Sequence, residues 1–540
     1  MKRKISILMV CLLLIGTLGG CGRLDNADKE LNIMLANSPM TIDPQLIGDT
    51  NSGFVASFFT AGLFGYNEDR EIVPVLAESY EVSEDGQTYT FHLKKGLKWS
   101  DGRELTAEDF VYGFQRLVDP DVGSNSVYLA LDSCTLKNAD DVNKGKKPVS
   151  ELGVSSPDAH TFVVELEQPC PYFCTLLACP NFSPCNHDFC HSVGESYATG
   201  ADTILSCGPY TIDRYEPLAM QIHMKKNPNF VEADRIRLSG INLQVVANAQ
   251  QALMSYESGS LDVTSVSGNL MDLADGSPEL KEFTVASSFF LMPNMQTCPA
   301  LKNQKIRGAL SKSIDRDSIV KNVLKTGFTP MSRLNPAGYY KCADGSDFGG
   351  EKDRYQKQVG YDPGEALKLW KEGLGELGMT SVKLTVVYPS GMNNLMEALA
   401  GQMEKNLPGL ELELKALPSK EVIQMQTKKD YEIIFMGWAA DYTDPTSFLG
   451  LFLSDGPSSN YSNPKYDVIY DQIQSADVAR DPETREKMML QEEDILMDDV
   501  AIIPLYSQGN VYLVKQGVTG FLINPTGSGC ISIGLDKEVD

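Results

Sequence analysis

Asp441 and Asp444 place two carboxylates in one short loop beside Trp438, one of three tryptophans in a chain of 540 residues. Residues 437–445 read Gly-Trp-Ala-Ala-Asp-Tyr-Thr-Asp-Pro. They follow an apolar run, Ile433, Ile434, Phe435 and Met436, that reads as a short buried strand stopping at Gly437. An aromatic wall beside a carboxylate at a strand end is what a pocket for an organic cation needs. The same residues also suit a core tryptophan and two turn aspartates, one of them placed before Pro445, and the stretch alone leaves both readings open.

A second group of reactive types is Cys170, Cys174, Cys179, Cys185, Cys190 and Cys207, half of the 12 cysteines, with His187 and His191 among them. Metal coordination, disulfides outside the cell, and reduced thiols packed as small apolar residues all compete here. No C-x-x-C pair is present and aromatic and proline residues interrupt the run, so no metal ligand is assigned. Catalytic signatures are missing elsewhere as well. The chain has no G-x-S-x-G, no phosphate loop and no H-E-x-x-H, and its 5 histidines leave little material for acid-base work. The reading is a non-enzyme without a cofactor.

A formal charge of −25 argues against nucleic acid, which requires clustered Lys and Arg. The length calls for two or three domains. At the start, Lys2-Arg3-Lys4 precedes an apolar run over residues 5–15 and then Leu18-Gly19-Gly20-Cys21. This is a charged region, an apolar segment too short for an ordinary span, and small residues before a cleavage point. It resembles the lipobox of bacterial lipoproteins, which implies a signal peptide over 1–20 and lipidation of Cys21. Residues 22–30 are polar and suit a tether to the outer face of a membrane.

The elements that must position these groups follow in order. Leu31, Ile33 and Leu35 alternate as a strand, and Phe54, Phe58, Phe59 and Leu63 fall at helical spacing. Hairpin patterns centre on Tyr89, Phe91 and Leu93 and on Phe162, Val164 and Leu166. Between them Thr106-Ala107-Glu108-Asp109 looks like a capping box opening a helix. A second β segment begins near Ser206. After Phe289 helices and strands alternate: a helix from Asp362-Pro363, strands over 383–388 and 410–414, helices over 395–406 and 421–427, and a strand over 431–436. Such alternation implies a largely parallel sheet whose ligands bind beyond the carboxyl ends of its strands.

Several segments resemble one family in order and spacing. Thr90-Phe91-His92-Leu93-Lys94, Lys98-Trp99-Ser100-Asp101-Gly102 and Thr106 to Val111 are similar to the N-terminal signature of the bacterial extracellular solute-binding proteins, family 5. Cys207-Gly208-Pro209-Tyr210, Asn227-Pro228-Asn229-Phe230, Ile306-Arg307-Gly308-Ala309-Leu310 with Ile314-Asp315-Arg316, and Gly437 to Tyr442 with Pro445 to Leu449 continue the resemblance.

The resemblance implies an α/β, two-lobed periplasmic-binding-protein fold of type II with an additional domain inserted beside the first lobe. The first lobe would comprise 31–64, 191–288 and 500–540, the additional domain 65–190, and the second lobe 289–499. Lobes of this kind close over a peptide whose backbone pairs with strand-like protein segments. Asp441 matches the aspartate that takes the peptide ammonium in oligopeptide binders. Gly437, Trp438, Phe289, Phe290 and Tyr506 are the other ligand-lining positions implied. Phe435 stands where some members carry a basic residue, Ala439 where some carry a disulfide cysteine, and Phe289 and Phe290 where tyrosines are frequent, which implies a more apolar pocket.

The expected function is a monomeric, lipid-anchored receptor on the extracytoplasmic face of the cell membrane, periplasmic where an outer membrane exists. It would deliver peptides to an ABC-transporter permease. Two other readings stay open: the same fold binding a nickel complex, haem or another non-peptide nutrient, and a metal or redox protein built on the cysteine group.

Overall fold

The computed structural model describes residues 29–216, 220–266, 270–274, 276–325, 327–351, 354–454, 456 and 460–538. The signal segment, Cys21 and most of the tether lie outside these residues. No helix among the described residues is long and apolar enough to cross a membrane.

A seven-stranded sheet forms the first lobe, in the spatial order Leu280–Phe283, Asn510–Val514, Val263–Ser265, Glu30–Leu35, Gly240–Val245, Gln221–Lys226 and Tyr210–Glu216. The alternating Leu31, Ile33 and Leu35 are all buried, and Glu30–Leu35 runs parallel to Gly240–Val245 with Ile33 opposite Leu243. Helix Thr50–Phe59 buries Phe54, Phe58 and Phe59 against this lobe, and Asp49 caps it by accepting from Ser52 N.

A four-stranded antiparallel sheet, Ala77–Val82, Thr88–Leu93, Thr161–Glu165 and Val154–Asp158, makes the additional domain. Phe91 pairs with Phe162 and Tyr89 with Val164. Helix Ala107–Val118 lies across the sheet and packs Phe110 and Phe114 on Phe162, at ring separations of 5.5 and 5.1 Å. Its start is the anticipated capping box, with Thr106 N donating to Asp109 Oδ2 at 2.8 Å. Buried residues of this domain and of the first lobe belong to one continuous apolar core.

The second lobe is built on a six-stranded sheet, ordered Phe328–Pro330, Ile503–Gln508, Ser287–Pro293, Ile433–Ala439, Val382–Pro389 and Leu410–Leu417. The helix-strand alternation appears as expected, with Asp362 capping helix Pro363–Leu377. The sheet is nevertheless mixed. Val382–Pro389 is parallel to both Leu410–Leu417 and Ile433–Ala439, whereas Ser287–Pro293 runs antiparallel to Ile433–Ala439 and to Ile503–Gln508. The two strands next to the Phe328–Pro330 edge are the ones that arrive from the first lobe and return to it.

The chain crosses between the two sheets twice. Residues 284–286 carry it from Phe283 into Ser287, and Gly509 alone carries it back from Gln508 to Asn510. The two crossings are tied: Ser287 Oγ donates to Gln508 O at 2.7 Å and accepts from Gln508 N at 2.9 Å. A Cβ at Gly509 would lie 2.8 Å from Phe283 O, so only glycine lets the crossings run this close. The return crossing thus falls at Gly509 and not at residue 500, because the apolar run that precedes it completes the second-lobe sheet first.

Candidate ligand cleft

Strand Ile433–Ala439 continues past Gly437, correcting the expected stop there. Ser287 and Ser288 extend the antiparallel partner far enough to pair with Ala439 and Trp438, so the ladder ends only at Ala439. Asp441 lies just beyond this carboxyl end. Its side chain borders a cavity of about 210 Å³ whose wall includes Asp49 and Ser528 of the first lobe, Tyr128 and Cys179 of the additional domain, and Ala439 of the second. All three bodies meet around this cavity, which Asp441 and Asp49 both border.

The loop is held in place by backbone contacts that leave the Asp441 carboxylate free for other use. Ser447 Oγ accepts from Asp441 N at 3.3 Å and from Trp438 Nε1 at 3.5 Å. Cys179 Sγ donates to Asp441 O at 3.4 Å. Tyr442 reaches across to the additional domain, where its ring stacks on Tyr172 at 4.2 Å with the planes 1° apart. The carboxylate itself accepts one bond, from Tyr128 Oη at 3.0 Å. Burial pushes its pKa up to about 6, against the Tyr128 bond, which lowers it. No Lys or Arg among the described residues pairs with it.

Asp444 has the opposite fate. It accepts from Thr446 N and Oγ1 at 3.0 and 2.6 Å and forms a two-point ion pair with Arg485 at 2.6 and 3.0 Å, both side chains buried. This carboxylate is fully committed to the fold.

The remaining expected positions divide by strand face. Phe289 covers Gly437, where an added Cβ would sit 2.3 Å from its ring. Phe289 also stacks on Tyr506 at 4.7 Å and on Phe435 at 6.0 Å. Gly437 is exposed, Phe289 half-buried, and Phe435 and Tyr506 buried. Trp438 projects to the opposite face of the sheet, half-buried against that face's apolar core. Phe290 is a correction: it is 1% exposed and packs on Phe452 in the second-lobe core. Neighbouring residues of a strand point to opposite faces, so Phe289 and Phe290 cannot share one wall.

Tyr128 was not anticipated. It lies outside any periodic segment, and no sequence feature connects it to a loop 313 residues away.

The six clustered cysteines are free thiols, with Cys170, Cys185, Cys190 and Cys207 buried. No group of three or more His, Cys, Asp or Glu side chains among the described residues is arranged to hold a metal ion.

Two α/β lobes joined by paired crossings, with a third body beside the first and a cleft where all three meet, define a solute-binding protein. The particular family follows from comparison with known proteins. Residues 71–460 match the description "Bacterial extracellular solute-binding proteins, family 5 Middle", and the chain belongs to this family. It is 31% identical over 529 residues to the dipeptide-binding protein of Lactococcus lactis subsp. cremoris, covering 94% of each chain. It is 28% identical over 553 residues to the oligopeptide-binding protein OppA of Bacillus subtilis, covering 98% of each. Among solved structures, peptide-bound OppA of Listeria monocytogenes superposes with a TM-score of 0.73 at 30% identity, over 94% of this chain and 99% of that one. The family consists of substrate-binding proteins, and these relatives bind peptides.

Proposed function

We propose that this protein is an extracytoplasmic receptor that captures peptides by their free amino end and presents them to an ABC-transporter permease. The observation that carries the reading is Asp441: a half-buried carboxylate with one hydroxyl donor, no cationic partner among the described residues, and a cavity bounded by both lobes and the additional domain. Once closure excludes water, such a carboxylate is strongly stabilised by an ammonium group beside it. Relatives that cover nearly the whole chain carry dipeptide- and oligopeptide-binding names, which supports a peptide as the ammonium donor.

Closure follows from differential binding. A peptide held between Asp441 and the first-lobe wall favours the state in which both touch it, and the permease reads that closed state. The protein acts as a monomer, held at the membrane by lipid on Cys21, without catalysis or cofactor. Phe289, half-buried on the face that carries Gly437 and backed by the buried Tyr506 and Phe435, favours apolar side chains in the cargo.

Heating the full-length protein with a mixture of short free-amine peptides tests the proposal. A ligand that binds only the native state stabilises it by about 2.7 kcal/mol at a hundredfold excess over Kd. The expected result is a melting transition that rises with peptide concentration. An unmoved transition at millimolar peptide contradicts the proposal.

A further inference from the structure

His187 and His191 stand four residues apart on helix His187–Val193, and peptide capture as proposed does not use them. Side chains at this spacing leave a helix on one face, one turn above the other. The two rings accordingly lie together, with centroids 4.3 Å apart and planes 47° apart. Both side chains are exposed.

The surroundings hold the pair in place. Asn186 caps the helix by accepting from Phe189 N at 3.0 Å, and it is tied to helix Ala107–Val118 by donating to Asp109 Oδ1 at 2.8 Å. From that neighbouring helix the Tyr112 ring stands edge-on to His187 at 4.8 Å and lies 6.0 Å from His191. His187 Nδ1 is 3.1 Å from Asp188 Oδ1. An ionised carboxylate can only accept, so Nδ1 carries the proton and Nε2 keeps its lone pair for another partner.

From this geometry we propose that His187 and His191 chelate one divalent ion of the kind imidazole favours, Zn²⁺, Cu²⁺ or Ni²⁺, with water in its remaining positions. Two imidazoles bound to one such ion at about 2.0–2.1 Å, between roughly a right and a tetrahedral angle, hold their centroids about 4.5–5 Å apart. The observed 4.3 Å therefore needs only a small rotation of the rings. Helices that hold zinc through two histidines use the same four-residue spacing. His187 borders a hollow of about 480 Å³ whose wall includes Glu104, Glu108 and Asp188, which gives the waters room and the ion a negative surrounding field. With two protein donors the ion is exchangeable, unlike one in a four-ligand structural site.

Calorimetric titration of Ni²⁺ into the full-length protein, in a buffer that does not chelate metal, tests the site. Ni²⁺ is the probe because free thiolates compete more strongly for Zn²⁺. Wild-type protein should bind one ion per chain at this site. His187→Ala and His191→Ala should each weaken that binding by about tenfold or more, because either change turns a two-point attachment into a one-point one. Both rings are exposed, so each variant should keep the wild-type urea midpoint, which separates a lost ligand from a lost fold. Failure of the wild-type protein to bind Ni²⁺ at millimolar concentration, or an affinity that either substitution leaves unchanged, overturns the proposal.

Discussion

Tyr128 of the additional domain donates a 3.0 Å hydrogen bond to Asp441 of the second lobe, across 313 residues of sequence. The contact joins the additional domain to the second lobe through a carboxylate that has no cationic partner among the described residues. Burial raises the Asp441 pKa, and this bond opposes that rise by favouring the ionised form.

Tyr128→Phe removes the carboxylate's hydroxyl donor while keeping the ring. A hydrogen bond to a charged group contributes about 1.5–3 kcal/mol. Affinity for free-amine peptides should fall by about tenfold or more by calorimetry. The pH midpoint of binding should also move above that of the wild-type protein, because the lost bond favoured the ionised form.

The pH dependence has two signs. A carboxyl raised to about 6 in the folded protein contributes stability that is fully present below its unfolded value of about 3.9 and is lost as pH rises through 6. The ligand-free protein should therefore lose more melting temperature between about pH 4 and pH 7 than Asp441→Asn does. Peptide binding needs the carboxylate, so affinity should rise over the same interval. Calorimetry in buffers of different ionisation enthalpy should detect the proton released on binding near pH 6.

Asp444→Ala should damage the fold where Asp441→Asn does not. It strands Arg485, buried at 5% side-chain exposure, without its partner. Breaking a buried pair costs about 3–5 kcal/mol, readable as a lower urea midpoint. Equal stability losses at the two positions would contradict the division of roles between these aspartates.

Gly437→Ala places a methyl group 2.3 Å from the Phe289 ring. Overpacking of this kind costs about 1–3 kcal/mol. The cost should shrink when Phe289 is also alanine, and a double-mutant cycle with no coupling would show that the ring is not what the methyl group meets.

Local pattern carried much of this in the sequence, and long-range contact did not. The alternation of Leu31, Ile33 and Leu35 and the cap at Asp362 are short-range signals that the structure keeps, whereas the strand expected to stop at Gly437 runs on to Ala439. Strand parity was the information needed to separate Phe289 from Phe290, but it acts only once the register is known, and the ladder through Ala439 supplies that register. The late return at Gly509 is not legible in the sequence because an apolar strand reads alike in either lobe. Tyr128 and the partner of Asp444, Arg485, are set by tertiary approach alone.

The most direct test of the account is calorimetric titration of one short apolar peptide, with its amino end free and acetylated, into wild-type protein and Asp441→Asn. Wild-type protein should bind the free-amine form more tightly by about two orders of magnitude or more, as a charge left unpaired on closure requires, and Asp441→Asn should lose this preference. Equal affinity of the wild-type protein for both peptides, or a preference that survives in Asp441→Asn, would contradict capture of the ligand ammonium by Asp441.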